Sequence, residues 1–267
     1  MASILPSATK PEGKSGKPAS RAVVIGSVVS VTLLAWVYLV YQAWAMDHMD
    51  VIDMAMPGIH AWGPWDLALV FTMWAIMMAG MMVPSVSPVV LLFARIQHQR
   101  RAQGQPFIAS WLFLSGYLLV WTGFSLVATL VQWGMHATVL ISPAMVGTSP
   151  LLGGAVLIAA GIYQWTPAKH ACLARCRSPL SFLLNEWRDG TWGALAMGAR
   201  HGLYCTGCCC LLMLVLFVVG VMNLLWIALL TVFVLLEKTL PRGLWISRAS
   251  GGALIAWGGW MASAALV

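Results

Sequence analysis

DLALVFTMWAIMMAGMMVPSVSPVVLLFA, Asp66 to Ala94, runs for 29 residues with a single ionisable side chain, at its first position. A helix needs about 20 apolar residues to cross a hydrocarbon core about 30 Å thick. This stretch is therefore long enough to cross a bilayer, and it has no polar face to turn toward water. Comparable runs lie at 22–44 before it and at roughly 108–134, 150–167, 192–219, 222–237 and 249–267 after it. Their apolarity is continuous and most are too long for strands. The expectation is an all-α, polytopic membrane helix bundle of about seven transmembrane helices.

Composition agrees. Of 267 residues, 60% are hydrophobic and 9% charged, against about 25% charged in a soluble domain. The chain cannot clothe a water-facing surface, which excludes nucleic-acid binders, disordered regulators and secreted disulfide modules. Residues 1–21 are rich in Lys, Pro, Ser and Gly and read as a disordered cytoplasmic tail. Residues 22–267 read as one transmembrane helical domain. The first run sits behind basic residues, and Ala43-Trp44-Ala45 mimics a cleavage site, but the run exceeds a signal core of about 7–15 residues. It reads as an anchored helix. No internal repeat suggests an inverted-repeat transporter.

The net charge of +7 is distributed by topology. Fourteen of the 15 basic residues fall in the tail (Lys10, Lys14, Lys17, Arg21) and in alternate connections: Arg95, Arg100, Arg101; then Lys169, Arg175, Arg177, Arg188; then Lys238, Arg242, Arg248. The positive-inside bias then puts the N-terminus in the cytoplasm and the C-terminus outside. The opposite face carries the loop 46–66, with Asp47, Asp50, Asp53 and Asp66 but no Lys or Arg, and with Met46, His48, Met49, Met54, Met56 and His60 among them. Such a loop gathers cations electrostatically, although solvated loop chemistry accounts for it equally.

The fifth run holds Met197, Arg200, His201, Cys205, Cys208, Cys209 and Cys210. At about 100° per residue, His201, Cys205 and Cys208 share one stripe, Met197 extends it and Cys209 borders it. A His with Cys at i+4 and i+7 presents imidazole and thiolates to one ion. An Arg and a His at membrane depth are costly and usually functional. The competing reading is that the thiols pack helices and His201 bonds a neighbour. In the second run, Met73, Met77 and Met81 form one column, and Met78 and Met82 another. Thioethers suit Cu(I) without deprotonation, although Met is also an adaptable packing residue. Pro84 frees a backbone carbonyl there. After the fourth run, Cys172 and Cys176 lie one turn apart, half of a closed thiolate site. Lys169, Arg175 and Arg177 beside them favour thiolate; a structural zinc clip or plain packing is the alternative. Glu237 and Lys238 read as an interfacial pair. No phosphate-cradling loop, Ser/His/Asp set or haem attachment motif is found.

Met73-Trp74…Met77-Met78…Met81-Met82-Val83-Pro84-Ser85, Tyr163-Gln164…Pro167…Lys169…Cys172…Cys176-Arg177…Pro179, His201-Gly202…Cys205…Gly207-Cys208-Cys209 and Glu237-Lys238 together resemble a bacterial family of predicted metal-binding integral membrane proteins. The resemblance covers about residues 66–262. It implies metal binding and a membrane location, and it implies no reaction. The family pattern carries an aromatic residue after the Cys pair, where this chain has Cys210.

The leading expectation is a multi-pass protein of the bacterial inner membrane that binds a soft metal, most simply Cu(I) with zinc as the alternative, for transport or for delivery to a metalloprotein partner. The expected ligands are His201, Cys205, Cys208, Cys209, Met73, Met77, Met81, Cys172 and Cys176. Two alternatives stand beside it: a membrane-embedded copper oxidoreductase or a subunit of one, with Tyr204 and Tyr163 assisting, and a scaffold locked by a structural metal. The sequence leans away from an enzyme and offers nothing to nucleic acid.

Overall fold

The computed structural model describes residues 18–47, 62–138 and 149–265. These form helices α1 (Pro18–Asp47), α2 (Pro64–Ala102), α3 (Ser110–Ala137), α4 (Pro150–Tyr163), α5 (Pro167–Arg177), α6 (Pro179–Glu186), α7 (Gly190–Leu214), α8 (Leu216–Val219), α9 (Leu224–Thr239) and α10 (Gly243–Ala264). There is no strand among the described residues. The acidic loop residues Asp50, Asp53, His48, Met49, Met54, Met56 and His60 lie outside the described residues, as does the tail before Pro18.

Local chemistry sets the helix starts. Proline in the first turn has no N–H of its own to orphan, and a polar side chain just ahead satisfies one of those that remain. Ser149 accepts from Leu152 N at 3.3 Å before Pro150, and Thr166 accepts from Lys169 N at 3.3 Å before Pro167. Asn223 does the same for Trp226 N in α9, at 3.4 Å. At α2 the carboxylate of Asp66 reaches back to Gly63 N at 2.8 Å. Helix α2 then runs through Pro84 and Pro88. Pro88 cannot donate to the carbonyl of Pro84, and the Ser87 hydroxyl does so instead, at 2.8 Å.

The count of seven crossings is corrected by these starts and stops. Among the described residues, four helical stretches are long and apolar enough to cross a membrane: Arg21–Ala45, Pro64–Ala102, Ser110–Ala137 and Gly190–Val219. A fifth exists only if α4 and α5, bent by 64°, make one broken span. Helix α4 ends after 14 residues because Pro167 cannot continue it, and α9 has 16. At 1.5 Å per residue these span about 21 and 24 Å, less than the hydrocarbon thickness. Helix α10 is 22 residues long, but it is diluted by Gly, Ser and Trp and opens with Arg248 in its second turn. The C-terminus-outside assignment rested on seven crossings and does not follow from this count.

Packing is tightest where glycines let backbones touch. A methyl group at Gly198 would sit 1.9 Å from the carbonyl oxygen of Phe113, and one at Gly116 would sit 2.1 Å from that of Leu195, so α3 and α7 meet backbone to backbone. Helices α4 and α10 meet likewise at Gly154 and Gly258. Helix α2 runs opposite to α7: near its end the ring of Phe93 meets that of Trp187, just ahead of α7, tilted at 5.7 Å, and near its start Trp74 meets Phe217, past the end of α7, tilted at 5.2 Å. Lys238 and Tyr117 link Ser85 and Met82 between them to Cys205. Trp74 Nε1 also donates to Gln132 of α3 at 2.6 Å.

The molecule is inside-out for water. Large apolar side chains on the helix exteriors, Leu34, Val37, Leu69, Leu119, Val127, Leu203 and Leu225 among them, are exposed. Exposed Trp65, Trp192, Trp245 and Trp260 sit near helix ends. Charge gathers where α2 ends and α7 begins: Arg100 pairs with Asp189 at 2.7 Å, Arg200 with Glu186 at 2.9 Å, and Arg175 with Glu186 at 3.9 Å.

Candidate metal centre

Three residues of α7 present sulfur to the interior: Cys205 and, one turn on, the adjacent Cys208 and Cys209. Cys205, Cys208 and Cys209 are completely buried, and the latter two thiols donate to the Cys205 carbonyl at 3.1 and 2.9 Å. Those local bonds stand in for partners that hydrocarbon neighbours cannot offer. Helix α5 crosses this face. Its Cys176, also buried, brings its thiol into interaction range of Cys205 and Cys208. The approach is permitted by Gly207, where a methyl group would lie 2.8 Å from the Cys172 sulfur. Cys172 and Cys176 each meet α7 at a different level, and Cys172 stays half-buried with Cys210. All six cysteines are free thiols.

Two side chains tie this cluster to α2, and neither was among the expected ligands. Lys238 of α9 donates to Cys205 Sγ at 2.8 Å and to Ser85 Oγ of α2 at 3.0 Å. The hydroxyl of Tyr117, from α3, lies 3.1 Å from Cys205 Sγ and donates to the Met82 carbonyl at 3.3 Å. Ammonium, phenol and thiol thus converge on one sulfur in a site with no contact to bulk water. Tyr117 was invisible in the sequence because a lone Tyr in an apolar run has no spacing partner. Lys238 was visible, but the reading of Glu237 and Lys238 as an interfacial pair is corrected: both are buried and they face different neighbours. Glu237 is 2.7 Å from Lys169 of α5, and outside that ion pair neither carboxylate oxygen has a hydrogen-bond partner. Gln164 accepts from Lys169 and, at 2.9 Å, from Ser247 of α10.

The other expected ligands are placed as follows. His201 is buried one turn before Cys205, with the rings of Phe182, Tyr117 and Phe113 at 4.8, 6.0 and 6.2 Å between centroids, and its Nδ1 has no hydrogen-bond partner among the described residues. Its neighbours are aromatic faces rather than sulfur. Met73, Met77 and Met81 are buried in the same continuous core as the cysteines, as are Met78, Met82 and Met197. Arg200 is not at depth: it is half-exposed and paired with Glu186. Lys169 and Arg177 do not act on the thiols either, since Lys169 holds Glu237 and Arg177 donates to the Leu240 and Pro241 carbonyls at 2.6 and 2.8 Å. Arg175 lies over Tyr204. Tyr163 donates to the Gly207 carbonyl and Tyr204 to Glu186 at 3.4 Å.

The donor chemistry is soft throughout, thiols backed by thioethers, which favours Cu(I) over harder ions. Among the described residues no three His, Cys, Asp or Glu side chains converge as a group able to hold a metal ion. A tetrahedral four-ligand zinc site therefore has no support, whereas Cu(I) is satisfied by two sulfurs.

No curated protein and no solved structure matches the chain. A family model described as "Copper chaperone" matches residues 71–261. That match takes in the methionine columns, the α5 cysteines, the thiol face of α7 and Lys238, and it spans more than two thirds of the sequence. The chain belongs to this copper-chaperone family.

Proposed function

We propose that this protein resides in the bacterial inner membrane, binds Cu(I) at the thiols where α5 crosses α7, and hands the ion to a partner metalloprotein. One observation carries the reading: Cys176 of α5 meets Cys205 and Cys208 of α7, all buried and reduced, in a chain of the copper-chaperone family. Membrane residence is supported by the long apolar helices, by their exposed apolar faces and by tryptophans near helix ends, where the headgroup region favours them. The end that gathers Arg100, Arg175 and Arg200 is the cytoplasmic one in this reading. Met73, Met77 and Met81 lie on α2 between its Asp66 end and the level of the thiols, buried in the same core. Thioethers bind Cu(I) weakly enough to release it, and thiols take it up. Handing on proceeds by ligand exchange, in which a thiol or thioether of the partner replaces one chain sulfur at a time. No electron is transferred, so no redox role is required of the protein.

The test is metal content. Purified protein loaded anaerobically with Cu(I) is expected to retain the ion, and the Cys205→Ser/Cys208→Ser variant is expected to lose it. Equal copper in both would remove the α7 thiols from the site. Loaded protein in vesicles is expected to transfer copper to an apo-acceptor without net flux across the bilayer; flux without transfer would make it a transporter instead.

A further inference from the structure

Lys238 is a buried cation, and among the described residues no carboxylate lies within ion-pairing distance of it. The other charged side chains of α5, α7 and α9 are engaged. Lys169 holds Glu237 at 2.7 Å, Arg200 and Arg175 share Glu186, and Arg177 caps two carbonyls. Helices α2 and α3 bring no charge to this level, only Ser85 and Tyr117. The cluster of Cys176, Cys205, Cys208 and Cys209 is thus left with one positive charge beside it, 2.8 Å from the Cys205 sulfur.

A buried net charge is costly, so the binding of an ion here is governed by whether the total comes to zero. Among the described residues no three His, Cys, Asp or Glu side chains form a group able to hold a metal ion, so we take the ion to be held by two of these thiols as thiolates, the others staying protonated. A monovalent ion with two thiolates carries one negative charge, which Lys238 cancels. A divalent ion with two thiolates is neutral by itself and, with the remaining thiols protonated, leaves Lys238 uncompensated. On loading, metal–sulfur bonds replace the thiol protons, which leave to water, and nothing is oxidised or reduced.

We propose that Lys238 is the specificity-determining residue of this centre: its ammonium is the built-in counter-charge that makes the two-thiolate site accept Cu(I) and reject divalent thiophilic ions such as Zn(II) and Cd(II). The inference rests on the copper reading of the same thiols and adds to it the reason for the ion's charge.

The experiment measures affinities of the full-length protein in detergent for Cu(I), Ag(I), Zn(II) and Cd(II), by competition against chelators, in the unaltered chain and in Lys238→Met and Lys238→Arg. Unaltered protein is expected to bind Cu(I) and Ag(I) and to discriminate against Zn(II) and Cd(II). Lys238→Met is expected to lower the Cu(I)-over-Zn(II) preference on the order of a hundredfold, the scale of an unpaired buried charge, while Lys238→Arg retains most of it. Circular dichroism checks that each variant keeps its helices, and the Ag(I)-against-Cd(II) comparison in unaltered protein needs no variant at all. Failure of the unaltered chain to hold Cu(I) or Ag(I) overturns the copper reading and this inference with it. Tight Cu(I) binding with Cd(II) held equally well, or with an unchanged preference in a folded Lys238→Met, overturns the role of Lys238 and leaves the copper reading standing.

Discussion

At the scale of single residues, Cys172 and Cys176 separate two roles that their spacing made look alike. One turn apart on α5, they reach α7 at different levels: Cys172 presses on Gly207 and Cys176 joins the buried thiols. Cys176→Ala is therefore expected to weaken Cu(I) binding at least about tenfold, or roughly 1.4 kcal/mol, whereas Cys172→Ala leaves it nearly unchanged. Chelator competition reads both. Equal losses would mean that the two act as one pair. The stripe of His201, Cys205 and Cys208 was legible because helical periodicity alone brings those positions to one face. The surroundings of His201 were not, because Phe113 and Phe182 come from distant parts of the chain.

At the scale of elements, the starts of α4, α5 and α9 were written locally, in Ser149-Pro150, Thr166-Pro167 and Asn223. The same punctuation shortened the apolar runs that had been counted as whole crossings. Composition registers hydrophobicity but not the place where a proline ends a helix, so seven runs became four stretches of spanning length and one bent pair. The α3–α7 contact is set by Gly116 and Gly198. Gly198→Val pushes a branched side chain into the Phe113 carbonyl, 1.9 Å from the added β-carbon, with no flexible group to yield. The expected loss lies at or above the top of the about 1–3 kcal/mol range for overpacking. It should appear as a lower thermal midpoint in detergent and a greater exposure of Cys205 to alkylation. An unchanged midpoint would show that the helices separate at no cost.

At the scale of the whole molecule, the Lys169–Glu237 pair joins α5 to α9 in the interior and so holds Cys176 and Lys238 against the same face of α7. Breaking it leaves one buried charge without a partner. Lys169→Met or Glu237→Leu alone is expected to cost about 3–5 kcal/mol, and the double variant much less, because two apolar groups of similar size replace both charges. Thermal unfolding of the three variants tests this. A double variant as unstable as the singles would mean that Gln164 and Ser247, not the ion pair, carry the junction.

The sequence by itself determined that this is an all-helical chain with more apolar surface than water can cover, and that its sulfur lies on the inward stripes of two runs. Composition and periodicity suffice for that, because both act within one helix. Only the tertiary structure decided that α2 and α7 are bridged through Lys238 and Tyr117, and that α5 supplies the fourth thiol. Those meetings join residues as far as 153 positions apart, as between Ser85 and Lys238. They arise from glycine-permitted helix crossings and one buried ion pair, neither of which leaves a period in the sequence.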